Sequence, residues 1–430
     1  MRIHRSTGRA TRRLVTTGLG ILLSLALTGC VVTRASLAGD GAGAGGLTVW
    51  TYLKDSDTDH TLAGLTTLFH QRYPHVPVRY VSIPINEFGP KLLAAGGTGE
   101  GPDVIIGNPV ADFALLSQAG VYTDLRDRWQ HYADRGVFQK EALWKDGGHL
   151  YALHWRFNDL GFWYNQDILA KYRLKPPRTV TELESAMARI AADGRYRPLA
   201  FSAQPNVQSA WQLVYWLLGD GVNYCTIDSP ATQRVLTRID SWRRHGYLSP
   251  SAAALGPEDS FQQFTTGKYA FVMGGSWEVG ALQAGHPGFR YGSTMVPAGS
   301  AGSHASFAGE SVGVGAYSAH KDLAWDFLRT ATLSRQGQLA TFRASGALPT
   351  RRDAQREPEV SGSELARPFL TALGPTALRP WPQNRNTLDA QTDLGTVFSS
   401  LVGGKLDPAQ AARQLRDKIH DDFEEGGGGC

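Results

Sequence analysis

The side chains that could do chemistry in this chain are aromatic rings and hydrogen-bonding groups placed where apolar strands end. Trp50 and Tyr52 end the first such run, residues 47–52, and Asn108 and Asp112 follow another, residues 103–106. Trp155 ends a run that starts at His149, and Arg156, Asn158 and Asp159 come directly after it. Trp277 follows Gly274-Gly275-Ser276 beyond the run 269–273, where glycines and polar neighbours predict exposure. Open α/β sheets hold ligands beyond the carboxyl ends of their strands, so these positions are the expected binding residues. Gln204 in a polar loop, Glu310, Arg343, and Trp381 beside Asn384 complete the set, as groups able to close a cleft. Rings supply flat apolar platforms, and amides, carboxylates and arginine supply paired hydrogen bonds. That equipment suits a ligand with apolar faces and a hydroxyl rim. Trp129, Trp144, Trp216, Trp242 and Trp325 fall in helical patterns and are expected to pack.

Covalent and metal chemistry find no frame here. Gly299-Ser300-Ala301-Gly302-Ser303 lacks the spacing of a nucleophile elbow, and the glycine-rich runs lack the lysine and helix start of a phosphate loop. The 12 histidines include no His-x-x-x-His pair beside a glutamate. His149 and His154 flank a strand without an acidic third partner, so neither a metal nor another cofactor is expected. Three scattered cysteines make no disulfide framework. Cys225, in an apolar context, is expected to be a buried thiol, and Cys430 to end a disordered tail, residues 424–430.

The elements that carry these residues begin after an export segment. Arg2, Arg5, Arg9, Arg12 and Arg13 precede an uncharged apolar run, residues 14–27, which ends in Leu27-Thr28-Gly29-Cys30. A basic start, a short apolar stretch and small residues at the cut make a signal peptide, residues 1–29. The run is shorter than the roughly 20 residues of a membrane span. Leu-Thr-Gly-Cys resembles a bacterial lipobox, which implies lipid on Cys30 and anchoring to the outer face of the cell membrane. The formal charge of +4 becomes −1 once the five arginines of residues 1–29 are removed, which leaves no basic patch for nucleic acid. Residues 30–46 are small and glycine-rich, a flexible tether.

From residue 47 strands and helices alternate, the pattern of a mostly parallel sheet covered by helices. Strands are expected at 47–52, 76–83, 103–106, 149–155, 160–164, 269–273 and 311–316, with helices at 88–95, 182–192, 210–218, 230–244, 260–266 and 322–333. No Pro/Ser/Gly linker divides the chain, so the expectation is α/β architecture in two Rossmann-like lobes joined by short crossings.

Several segments, in order, resemble the extracellular solute-binding proteins of ABC importers, of the carbohydrate type. They are Gly101-Pro102-Asp103-Val104-Ile105, Gly120-Val121-Tyr122-Thr123-Asp124-Leu125, and Leu150-Tyr151-Ala152-Leu153 through Tyr164-Asn165-Gln166-Asp167. Phe264-Thr265-Thr266-Gly267-Lys268-Tyr269 through Trp277, residues 319–328 and Gly346-Ala347-Leu348-Pro349-Thr350-Arg351 continue the series. The resemblance implies the periplasmic binding protein type II fold. One lobe would hold 47–156 with 311–345 and the other 157–310 with 346–423, with hinges near 156–161, 307–311 and 345–349. It implies a stacking role for Trp277, a sugar contact at Asn158 where relatives often have a carboxylate, and another at Gln204. The implied function is capture of a di- or oligosaccharide by a monomeric, lipid-anchored protein. The closed form would then deliver the sugar to the importer's permease and ATPase subunits. A glycerophosphodiester held by Arg156, Arg343 and Arg385 is the alternative ligand. A secreted glycoside hydrolase using Asp159 and Glu310 is the alternative activity.

Overall fold

The computed structural model describes residues 45–55, 60–306, 308–374, 376–379, 382 and 384–428. The signal, Cys30 and most of the tether lie outside them, as do Phe307, Trp381 and Cys430. Thirteen strands are present among the described residues: β1 (Leu47–Thr51), β2 (Val78–Ser82), β3 (Val104–Gly107), β4 (Leu143–Asp146), β5 (His149–Phe157), β6 (Leu160–Asn165), β7 (Arg197–Ala200), β8 (Tyr269–Gly275), β9 (Tyr291–Thr294), β10 (Ala305–Ser306), β11 (Gly309–Val314), β12 (Leu348–Pro349) and β13 (Leu378–Arg379).

These strands form two main sheets. The first runs β12-β5-β11-β3-β1-β2, and β4 pairs with the first half of β5. The second runs β7-β8-β6-β9. Only β1 with β2, β1 with β3, and β7 with β8 are parallel in these sheets; β11 lies antiparallel between β3 and β5. The expectation of mostly parallel sheets is corrected to mixed ones. The chain leaves the first sheet along β5 and comes back along β11, and a returning strand must run against its neighbours.

Local chemistry accounts for the helices. Thr179 caps helix Val180–Asp193 by accepting from the Glu182 amide at 3.2 Å, and Gly194 ends it in a left-handed conformation (φ 67°). Pro230 opens helix Pro230–Arg244 behind Ser229, and Asp407 and Gln410 form a capping box on helix Pro408–Glu425. Of the strands missing from the sequence expectation, β4, β7 and β9 are four-residue pieces and β10, β12 and β13 two-residue ones, all with too few alternations to be recognised.

The motif residues turn out to be braces. Buried Asp103 accepts from the Thr48 amide at 2.8 Å and from the Ser318 hydroxyl at 2.6 Å, tying β1 to the loop after β11. Asn165 caps the next helix through the amides of Asp167 and Ile168, both at 3.0 Å. Arg351 is buried between Asp134 and Asp353, each at 2.8 Å. At the crossings, Gly309 (φ 130°) and Gly346 (φ 79°) adopt backbone that favours glycine. Gly313 and Gly315 instead permit close approach: a Cβ on Gly315 would lie 2.0 Å from the Pro102 carbonyl oxygen.

Two further expectations change. Cys225 is exposed on the short turn Tyr224–Thr226 and is disulfide-bonded, so it is not a buried thiol. The described part of the expected disordered tail is ordered: helix Pro408–Glu425 includes Glu424 and Glu425, and Asn384 donates to the carbonyls of Phe423 (3.0 Å) and Gly428 (3.4 Å).

Candidate functional site

The crossing from the first sheet to the second centres on one carboxylate. Glu310, on β11, lies opposite Arg156 of β5, and both side chains are only 5% exposed. The Arg156 Nε donates to Oε2 at 2.5 Å and the Asn158 amide donates to the same oxygen at 2.8 Å. The Tyr52 hydroxyl donates to Oε1. Burial, reinforced by the Glu310 charge, pushes Tyr52 well above its ordinary value, so it remains a donor. Tyr52, Asn158 and Glu310, expected to face a ligand, are thus brought together and bond first to one another. Asn158 keeps its buried Oδ1 unpartnered.

Asp159 follows at the same crossing, fully buried. Its Oδ1 accepts from the Tyr215 hydroxyl and, at 2.9 Å, from the Leu160 amide, while Oδ2 has no partner. Burial lifts this carboxyl to about 7 against the opposing pull of those two bonds. Its backbone carbonyl accepts from the Ser276 amide at 3.0 Å, which sets the end of β8 against the crossing.

Trp277 comes next, half-buried, at the start of helix Glu278–Gly285. Its ring lies over Gly275, where a Cβ would sit 2.1 Å from ring carbons, so glycine is required there. Glu278 is partly exposed, yet burial of its carboxyl, then the Glu258 charge, raise it to about 8, with Trp277 bonding to it in opposition. Gln204 is exposed on the same rim, accepting from Asn206 at 3.0 Å.

On the first lobe Asp112 is buried in helix Pro109–Gln118, its Oδ1 without a partner and so near Gly89 that a Cβ there would lie 2.7 Å away. Burial alone raises it to about 7, and its charge is felt at Tyr52. Asn108 caps that helix, accepting from the Val110 amide at 3.2 Å, so its side-chain oxygen serves the fold. Trp50 is half-buried against the apolar core on the same sheet face as Ile105.

Two expected residues stand apart from this group. Trp155 is fully buried with Leu153 and Phe157 on the opposite face of β5, so it offers no ring to a ligand. Leu153, Trp155 and Phe157 share one buried apolar cluster, and Trp155 is the extra residue where the β5–β11 register shifts between His154 and Arg156. Arg343 is exposed on helix Arg335–Ser345 and forks onto Glu359 at 2.7 and 2.6 Å. Trp381 lies outside the described residues.

One residue escaped the sequence reading. Trp211, half-buried in helix Val207–Gly219, donates to Gln391 at 2.9 Å, and Gln391 donates to the Val110 carbonyl at 3.0 Å. This chain of bonds links helix Val207–Gly219 to the helix that carries Asp112. A tryptophan one turn after the polar segment 202–206 was the available signal; its helical context hid it among packing residues.

The profile of the bacterial extracellular solute-binding protein family matches residues 54–338. The chain belongs to that family. Solved structures agree on the fold. The GacH receptor of Streptomyces glaucescens, known unliganded and with acarbose, superposes with a TM-score of 0.78 at 23% identity, over 89% of this chain and 99% of that one. Maltose-bound MalE3 of T. maritima gives 0.76 at 20% identity, over 87% and 99%. UgpB of Mycobacterium tuberculosis, with glycerophosphocholine, gives 0.76 at 18% identity, over 89% and 99%. The fold is therefore the two-lobed one of maltose-binding-protein-like solute-binding proteins. Among the described residues no helix is long and apolar enough to cross a membrane.

Proposed function

We propose that this protein is the substrate-binding lipoprotein of an ABC importer, and that it captures a carbohydrate of two or more rings without turning it over. The observation that carries this reading is the crossing between two sheets, where Tyr52 and Asn158 meet Glu310 and the Asp159 carbonyl holds the amide of Ser276, the residue before Trp277. An aromatic face next to acceptor groups suits the apolar face and hydroxyl rim of a pyranose. Family membership and structural neighbours bound to acarbose and maltose support it. In this reading lipid on Cys30 holds a monomer at the outer face of the cell membrane, and hinge closure presents it to the permease. The first lobe comprises residues 47–156 and 311–345, extended through β12 because that strand pairs with β5.

The glycerophosphodiester alternative needs a cation for phosphate. Arg156 is committed to Glu310, Arg343 to Glu359, and Arg385 donates to the Gly426 carbonyl at 3.2 Å. The carbohydrate reading is therefore preferred. Thermal-shift titration of the mature chain with malto-, cello- and chito-oligosaccharides and with glycerophosphodiesters tests the choice. A melting-point rise with a sugar, lost in Trp277→Ala and without product formation, is expected. A rise with phosphodiesters alone reassigns the ligand.

A further inference from the structure

Helices that pack on different sheets meet directly near the crossing. Helix Pro109–Gln118 lies on the first sheet, with Phe113 against Trp144 of β4 at 5.1 Å between ring centroids. Helices Val207–Gly219 and Thr387–Val402 lie on the second. There Trp216 meets Phe162 of β6 at 6.1 Å, and Phe398 meets Phe201, the residue after β7, at 5.8 Å. Gln391 of the last helix joins the two sides. Its Oε1 accepts from Trp211 at 2.9 Å, and its Nε2 donates to the Val110 carbonyl at 3.0 Å. Gln391 is 0% exposed and Val110 3%, so water does not reach this seam.

Contacts tie the seam to the crossing on both sides. Trp211 stands one helical turn before Tyr215 on the same face, and the Tyr215 hydroxyl donates to Asp159. Val110 stands two residues before Asp112, which lies against Gly89, and the ring of Phe88 meets Tyr52 edge-on at 6.1 Å. Tyr52 donates to Glu310, which also holds Asn158. These contacts close a ring that runs from Asp159 to Asn158 by way of Gln391. Trp277 and Gln204, by contrast, are half-buried and exposed. The site is sealed where Gln391 lies and open to solvent where Trp277 lies.

A glycan that threads through a site needs two openings, and one sealed end admits only a terminus. Parting the seam for a passing chain would leave the Trp211 indole N–H and the Val110 carbonyl unpaired in a place closed to water. Stranding one such group costs about a factor of ten in affinity. Resting on the carbohydrate reading above, we propose that Gln391 walls the cleft at this end. The protein therefore takes a short linear saccharide, or the terminus of a longer one, and rejects glycans that have no free end.

Calorimetric titration of the mature protein with linear maltohexaose, cyclic maltohexaose, and linear chains carrying a bulky fluorophore on the reducing or the non-reducing terminus provides the test. Cellohexaose, plain and tagged in the same two ways, runs in parallel. In the series that binds, the plain chain and one of its tagged forms are expected to bind alike. The other tagged form, and the cyclic sugar in the malto-series, should bind at least about tenfold more weakly. Trp211→Phe and Gln391→Gly, with folding checked by melting curves, should narrow that gap. Equal behaviour of the two tagged forms, or a cyclic sugar bound as tightly as the linear one, overturns the closed end and leaves the carbohydrate reading in place. An unchanged gap in folded Gln391→Gly overturns the assignment of the wall to Gln391. Absence of binding by every sugar overturns both readings together.

Discussion

Glu310 accepts from three side chains, Tyr52 after the first strand and Arg156 and Asn158 at the end of β5, and it does so out of contact with water. Removing one member of a buried ion pair strands the other, at a typical cost of about 3–5 kcal/mol. Glu310→Gln is therefore expected to lower unfolding free energy by about that much in urea titration. Tyr52→Phe, which removes one donor and no charge, should cost about 1 kcal/mol. Equal losses in the two variants would contradict the central role of the ion pair. Asp112 and Asp159 behave oppositely. Burial raises both from 3.8 to about 7, so between those values the folded state holds protons that the unfolded state has lost. Stability of the ligand-free protein should then fall as pH rises from about 4 to about 7 and level off above, by up to roughly 4 kcal/mol per group. Asp159→Asn keeps an acceptor for Tyr215 and the Leu160 amide, and should flatten its share of that slope. A slope unchanged by the substitution would mean that Asp159 titrates normally.

At the scale of elements, glycine determines how strands and rings meet. Gly309 opens β11 with φ 130°, and a Cβ there would lie 2.3 Å from the Arg156 carbonyl oxygen, in backbone that cannot yield. Gly309→Ala should destabilise by at least about 1–3 kcal/mol and disturb the β5–β11 pairing that presents Glu310. Gly275 serves the ring of Trp277, which a Cβ would displace. Gly275→Ala is therefore expected to weaken sugar binding at least tenfold in calorimetry while leaving most of the fold's stability, since Trp277 is half-buried and can swing outward. Retained affinity would show that the ring position over Gly275 is irrelevant to the ligand.

On the scale of the whole molecule, Gln391 joins helix Val207–Gly219 to helix Pro109–Gln118. It accepts from Trp211 and donates to the Val110 carbonyl, so its loss should favour separation of the lobes. Gln391→Ala is expected to give a larger ligand-free radius of gyration by small-angle scattering, with sugar restoring the compact value. Identical scattering from both proteins would rule out Gln391 as a latch.

Read without its structure, the chain determined its class and order. Strands, caps and motif turns such as Asp103-Val104, Tyr164-Asn165 and Gly267-Lys268 are local, built from neighbours a few residues apart, and periodicity plus capping chemistry makes them visible. The resemblance rests on these braces, which is why the family was legible while its ligand was not. Tertiary structure alone decided which polar groups meet. Glu310 and Arg156 stand 154 residues apart, and their pairing follows from strand register rather than from sequence spacing. It also decided that Trp155 turns into the core and that Trp211 meets Gln391. A one-residue change of parity sends a side chain to the opposite face of a sheet, and only the paired strands establish which face is the cleft.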